Sequence, residues 1–119
     1  MLIADDDDHI RELVVATFDP DYRMIEAADG DEAWRLMLDQ RPDVALLDIN
    51  MPGLGGLELA EAIGGEPALD GTRVVMLTGV DPMDLEYHLP NSGQHPRINL
   101  FVQKPFTPSS LRSSLKSLD

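Results

Sequence analysis

The chain contains no cysteine, which excludes both a disulfide framework and a zinc–thiolate site. It has no apolar run long enough to cross a membrane, and no N-terminal sequence of charge, apolar stretch and small-residue cleavage site. Basic residues are scarce: 9 Lys and Arg against 22 Asp and Glu give a formal charge of −13 over 119 residues. Such a field repels nucleic acid and anionic membranes and favours cations and basic partner surfaces. Direct nucleic-acid contact and membrane attachment are therefore not expected of this domain. Repeats, low-complexity tracts and linkers are also missing. What remains reads as one soluble, cytoplasmic domain over residues 1–119, with a hydrophobic fraction of 43% that supports a packed core.

Short apolar blocks alternate with longer amphipathic ones. Leu2-Ile3-Ala4 reads as a strand running into Asp5-Asp6-Asp7-Asp8. Ile10, Leu13, Val14 and Phe18 then recur at helical spacing, with Asp8 the expected N-cap and Pro20 beyond the end. Residues 22–27 form a weaker strand, interrupted by Arg23 and Glu26. A second helix runs from Gly30-Asp31 to about Asp39 with Ala33, Trp34, Met37 and Leu38 inward, and Arg41-Pro42 breaks it. Residues 44–47 are uniformly apolar, the mark of a strand buried on both faces. A third helix spans residues 57–63, stopped by Gly64-Gly65, and a buried strand spans residues 74–77 before Thr78-Gly79. A short, poorly defined helix is expected at residues 83–89 and a fifth strand at residues 98–102, ending at Gln103-Lys104-Pro105. The last helix starts near Pro108, with Leu111, Leu115 and Leu118 on its inner face.

Strands alternating with helices pair in parallel through right-handed crossovers into one sheet covered on both faces. In such α/β sheets the functional crevice lies at the carboxyl ends of the strands, where strand order reverses. Asp5 and Asp6 follow the first strand, Asp48 ends the third, Thr78 follows the fourth and Lys104 the fifth. Four separate segments should thus converge on one cluster. Three crowded carboxylates must take up protons or bind a cation. Oxygen ligands without His or Cys point to Mg²⁺ with open positions for a phosphoryl group. Lys104 would add a second positive charge, Thr78 a hydroxyl, and Asp48, the central carboxylate, could itself accept phosphate as an acyl phosphate.

These motifs resemble the response-regulator receiver domains of two-component signalling. The resemblance rests on Leu2-Ile3-Ala4-Asp5-Asp6-Asp7, Asp43-Val44-Ala45-Leu46-Leu47-Asp48-Ile49-Asn50-Met51-Pro52-Gly53, Val75-Met76-Leu77-Thr78 and Lys104-Pro105-Phe106, and covers essentially the whole chain. It implies a (βα)5 flavodoxin-like fold with a five-stranded parallel sheet in the order 2-1-3-4-5. It implies Asp48 as phosphoacceptor, with Mg²⁺ held directly by Asp6 and Asp48, through water by Asp5, and by the Asn50 backbone carbonyl. Lys104 would pair with the phosphoryl group, its bond to Pro105 being cis. Thr78 and Phe101 would form a switch pair altering the surface of the fourth helix, fifth strand and fifth helix. The implied donor is the phosphohistidine of a sensor histidine kinase or histidine phosphotransfer protein, and the output an effector domain or protein. The domain would transfer phosphate to itself and lose it slowly to water, without being an enzyme in the usual sense. Between Thr78 and Lys104 the chain departs from the family pattern, running a few residues longer and carrying Pro82, Pro90 and Pro96. The fourth helix is therefore expected to be short or irregular.

Plainer readings compete with each assignment. Asp48 alone could cap a turn, Lys104 could be a surface lysine, Thr78 a turn residue and Phe101 a core ring. Asp7 and Asp8 read as a solvated turn with a helix cap rather than as ligands. No EF-hand is present, because His9 and a missing glycine break its pattern. A phosphate-independent interaction module is the alternative function, motivated by the irregular residues 79–94. A phosphohydrolase using an aspartyl phosphate is disfavoured, because Asn50 stands where its second aspartate would be. The chain either acts alone or is a piece of a longer protein; opening directly on a strand leans slightly towards the second.

Overall fold

The computed structural model describes residues 1–80 and 97–118. The described elements are β1 (Leu2–Ala4), α1 (Asp8–Phe18), β2 (Ile25–Ala27), α2 (Gly30–Gln40), β3 (Val44–Asp48), α3 (Gly56–Gly64), a 3-10 turn (Pro67–Leu69), β4 (Arg73–Thr78), β5 (Leu100–Gln103) and the C-terminal helix (Pro108–Leu115), which closes in a further 3-10 turn (Lys116–Leu118). The strands form one all-parallel sheet in the order β2-β1-β3-β4-β5. That is the expected doubly wound arrangement. The helix expected at residues 83–89 lies outside the described residues.

Successive strand residues point to opposite faces, so the uniformly apolar strands feed two cores. Leu2, Ala4, Ala45, Leu47, Val74 and Met76 pack under α2 and α3, with Met37, Leu59 and Ile63. Ile3, Leu46, Val75, Leu77 and Val102 pack under α1 and the C-terminal helix, with Val14, Phe18 and Leu111. Every one of these side chains is at most 6% exposed.

Several local boundaries differ from the sequence reading for traceable reasons. The N-cap of α1 is Asp7, whose Oδ1 accepts from the His9 N–H at 2.9 Å; Asp8 instead pairs with Arg11. Residues 22–24 do not join β2, because the Tyr22 N–H is held by the Phe18 carbonyl in the turn after α1. In the fifth strand the Asn99 side-chain oxygen accepts the Val74 N–H, so the ladder begins at Leu100 and runs one residue further, to Gln103. Leu38 is 38% exposed, since Ala33 and Met37 occupy the inward line of α2 and Leu38 falls beyond its edge.

The turn after β3 is shaped by two close approaches. Gly53 adopts a φ of +75°, a left-handed conformation that side chains other than glycine rarely tolerate. At Gly56, the first residue of α3, a Cβ would lie 2.3 Å from the Asp48 carbonyl oxygen. The start of α3 therefore packs directly on the backbone that presents Asp48. Gly56→Ala should destabilise the fold by about 1–3 kcal/mol, the usual range for overpacking, as measured by urea unfolding. An unchanged midpoint would show that α3 can shift away freely.

Candidate functional site

Strand order reverses between β1 and β3, and their carboxyl ends carry the acidic residues. Asp5 and Asp48 are buried at 0% and 7% exposure, whereas Asp6 is exposed. One carboxylate oxygen from each of Asp5, Asp6 and Asp48 falls within 4.8 Å of the others. Parallel pairing produces this directly, since Ala4 is in register with Leu47 and each strand delivers its next residue to the same edge.

Lys104 reaches the cluster from the loop after β5. Its Nζ lies 2.9 Å from Asp5 Oδ2 and 3.2 Å from Asp48 Oδ1. Its backbone N–H is anchored to the Thr78 carbonyl at 2.6 Å, and its bond to Pro105 is cis, as the resemblance implies. Burial pushes the Asp48 carboxyl above its ordinary value of 3.8 and the Asp5 charge adds to this; Lys104 and the Asn50 N–H act in the opposite direction without cancelling it. For Lys104, burial alone would lower the pKa, but its hydrogen bonds to Asp5 and Asp48 and their charges outweigh burial and hold the ammonium above 10.5.

The other predicted site residues are placed as follows. Asn50 and Asp6 line the same open hollow above the turn. Thr78 is 2% exposed at the end of β4, but its hydroxyl donates to the Val80 carbonyl and accepts from the Val80 N–H, so it is turned into its own loop. Phe101 is half-buried, in register with Met76 and packed on the core beneath α2 and α3. The structure thus gathers Asp5, Asp48 and Lys104 into direct contact, brings an Asp6 oxygen within 4.8 Å of the other two carboxylates, and leaves Thr78 and Phe101 without a side-chain bond to the cluster. Sequence reading missed Arg11, whose guanidinium donates to the Asp5 carbonyl at 2.6 Å. The only sequence signal for it was a cation three residues after Asp8.

A family model described as a response regulator receiver domain matches residues 1–116. The chain belongs to the response-regulator receiver family. Among similar curated proteins, the phosphate regulon transcriptional regulatory protein PhoB of Pseudomonas aeruginosa is 29% identical over 99% of this chain and 50% of its own length. Sporulation initiation phosphotransferase F of Bacillus subtilis is 29% identical over 98% of this chain and 90% of its own. Among solved structures, the chemotaxis response regulator CheY4 of Vibrio cholerae is similar with a TM-score of 0.86 and 30% identity, covering 99% of this chain and 96% of that one. The receiver domain of NtrX from Brucella abortus is similar with a TM-score of 0.77 and 28% identity, over 98% and 94%. The chain spans about half the length of PhoB and 42% of GtcR of Aneurinibacillus migulanus. Receiver domains are phosphoacceptors of two-component signal transduction and bind Mg²⁺ at an acidic pocket; here Asp5, Asp6 and Asp48 form such a pocket.

The donor set fits that ion. Three carboxylates and one ammonium leave two uncompensated negative charges, and a hard divalent cation suits all-oxygen ligands. No described helix is long and apolar enough to cross a membrane.

The pKa directions fix the sign of the pH dependence. Because the folded-state value of Lys104 is raised, its contribution to stability is complete below 10.5 and lost as pH rises through the raised value. Lys104→Met should therefore cost about 1–3 kcal/mol at neutral pH, a difference that shrinks above pH 10.5. The Asp48 value is raised too, so its charged form is disfavoured by folding. Asp48→Asn should stabilise the metal-free protein at neutral pH, with the gain fading as pH falls through the raised value and gone below 3.8. Denaturant unfolding in the presence of a chelator checks both; a Lys104→Met protein as stable as wild type at pH 7 would contradict the first.

Proposed function

We propose that the chain is a phosphorylatable receiver in which Asp48 accepts phosphate from the phosphohistidine of a sensor histidine kinase or histidine phosphotransfer protein. The observation that carries this reading is the single Lys104 ammonium bridging Asp5 and Asp48 inside a three-carboxylate cluster. Asp5, Asp6 and Asp48, with the Asn50 carbonyl, are the residues that would hold Mg²⁺. When bound, the ion neutralises charge on the transferring phosphoryl oxygens.

The chain's own residues do the rest. An Asp48 carboxylate oxygen attacks phosphorus, the N–P bond of the donor breaks, and the departing imidazole nitrogen takes up a proton. The product is an acyl phosphate on Asp48. Lys104, already 3.2 Å from Asp48 Oδ1, passes that bond to a phosphoryl oxygen while keeping its 2.9 Å bond to Asp5. The Thr78 hydroxyl leaves the Val80 carbonyl and donates to the phosphoryl group, drawing the β4 end inward. Phe101, beside Met76 on the neighbouring strand, follows and changes the surface around β5. That is a local charge event biasing a two-state surface. Water attack on the acyl phosphate resets it slowly. Output passes to an effector domain or protein, and the chain's charge of −13 keeps nucleic-acid contact out of this domain. The reading places the domain in the cytoplasm.

The phosphate-independent interaction module rests on residues 79–94, most of which lie outside the described residues, and no observed feature favours it. Beryllofluoride with Mg²⁺ should perturb the amide spectrum of the wild type around Asp48, Thr78 and Lys104, and leave Asp48→Asn unchanged. An equal response from Asp48→Asn would overturn the assignment of Asp48.

A further inference from the structure

The loop after β1 is held by a second cation, Arg11. Arg11 lies one turn into α1, and its side chain is only 15% exposed. Its Nη1 donates to the Asp5 backbone carbonyl at 2.6 Å. Its Nη2 pairs with Asp8 on the same helix, and its Nε lies 3.6 Å from Glu26 Oε1 on β2. The guanidinium thus ties the acidic loop to the start of α1 and to the neighbouring strand.

The remaining polar groups of Asp5 are also occupied. Its N–H donates to the Ala27 carbonyl at 3.1 Å, Oδ1 accepts from the Asp7 N–H at 2.9 Å, and Oδ2 accepts from Lys104. Arg11 therefore completes the restraint on this residue through its backbone carbonyl. In a trans peptide the C=O and the following N–H point in opposite directions. Fixing the Asp5 carbonyl on Arg11 fixes the orientation of the whole Asp5–Asp6 peptide, and with it the direction from which the exposed Asp6 carboxylate approaches Asp48.

We propose that Arg11 is a positioning residue for the cation site: it holds the Asp5–Asp6 peptide so that Asp6 can complete the ligand set. This inference rests on the Mg²⁺ reading above. Arg11 touches neither the phosphoryl group nor the metal, and acts through the loop.

Two effects of Arg11 on a divalent cation carry opposite signs. As a neighbouring positive charge it repels the ion, so removing it would tighten Mg²⁺ binding. As a support behind a ligand it favours binding, and loss of such outer supports typically weakens metal affinity about 10- to 100-fold. The guanidinium charge is already paired with Asp8 and Glu26 and is screened by salt, so positioning should win.

The test is a calorimetric Mg²⁺ titration of wild type, Arg11→Met and Arg11→Lys at one ionic strength, with folding checked by thermal melting in chelator. Arg11→Met keeps the apolar stem and removes both bond and charge; its affinity should fall by about tenfold or more. Arg11→Lys keeps the charge and one donor and should lie between the two. Amide hydrogen exchange at Asp6 and Asp7 in the metal-free state should be faster in Arg11→Met, a readout that needs no ion. Wild type that binds Mg²⁺ together with Arg11→Met that binds it equally or more tightly overturns the inference. Wild type that fails to bind Mg²⁺ overturns the functional reading instead. If Arg11→Met does not fold, Arg11→Lys decides: affinity below wild type supports positioning, and affinity equal to wild type removes it.

Discussion

One ammonium shared between two buried carboxylates governs the carboxyl edge of this sheet. Lys104 bonds Asp5 and Asp48 together, with Asp6 completing the cluster within 4.8 Å. A buried or half-buried negative charge without compensation costs several kcal/mol, and a single lysine cannot balance three. The edge is therefore held together yet left short of positive charge. On the proposed function, a divalent cation would repair that deficit and a phosphoryl group on Asp48 would add to it.

The fold exists in a form that maintains this arrangement. β1 and β3 are adjacent and in register, so Asp5 and Asp48 meet by strand geometry rather than by loop conformation. β4 and β5 bring Thr78 and Gln103 level, and the Lys104 N–H closes onto the Thr78 carbonyl. Both faces of the sheet are packed by side chains that are almost fully buried, which leaves the strand ends little freedom to relax away from one another. Gly56 lets α3 begin against the Asp48 carbonyl, and Arg11 holds the Asp5 carbonyl. The Thr78 hydroxyl is uncommitted to the cluster and bonds only its own turn, as the proposed switch would require.

Much of this was legible in the sequence because β1, β3, β4 and β5 are short, mostly apolar and end at once in polar residues, Asp5, Asp48, Thr78 and Gln103-Lys104; β2, broken by Glu26, was the weaker signal. That pattern identifies parallel strands covered on both faces, and topology then sends Asp5, Asp6, Asp48, Thr78 and Lys104 to one edge. The residues that misled were those whose role depends on the path of the chain. Asp8 was expected to cap α1, but Asp7 takes that place, its side chain accepting from the His9 N–H while Asp5 holds its own N–H. Tyr22 has strand propensity but remains in the turn after α1. Arg11 gave almost no signal, because its partner is a backbone carbonyl six residues away, and backbone acceptors are not written in residue types. The helix expected at residues 83–89 falls outside the described residues; of the expected output surface, β5 and the C-terminal helix are described.

The most direct test is to incubate the purified chain with phosphoramidate, with and without Mg²⁺, and to locate any added phosphoryl group by intact mass and peptide mapping. The account predicts one acid-stable, alkali-labile phosphoryl group per chain, carried on Asp48 and dependent on Mg²⁺. Phosphorylation on another residue, or equal labelling in excess chelator, would contradict it.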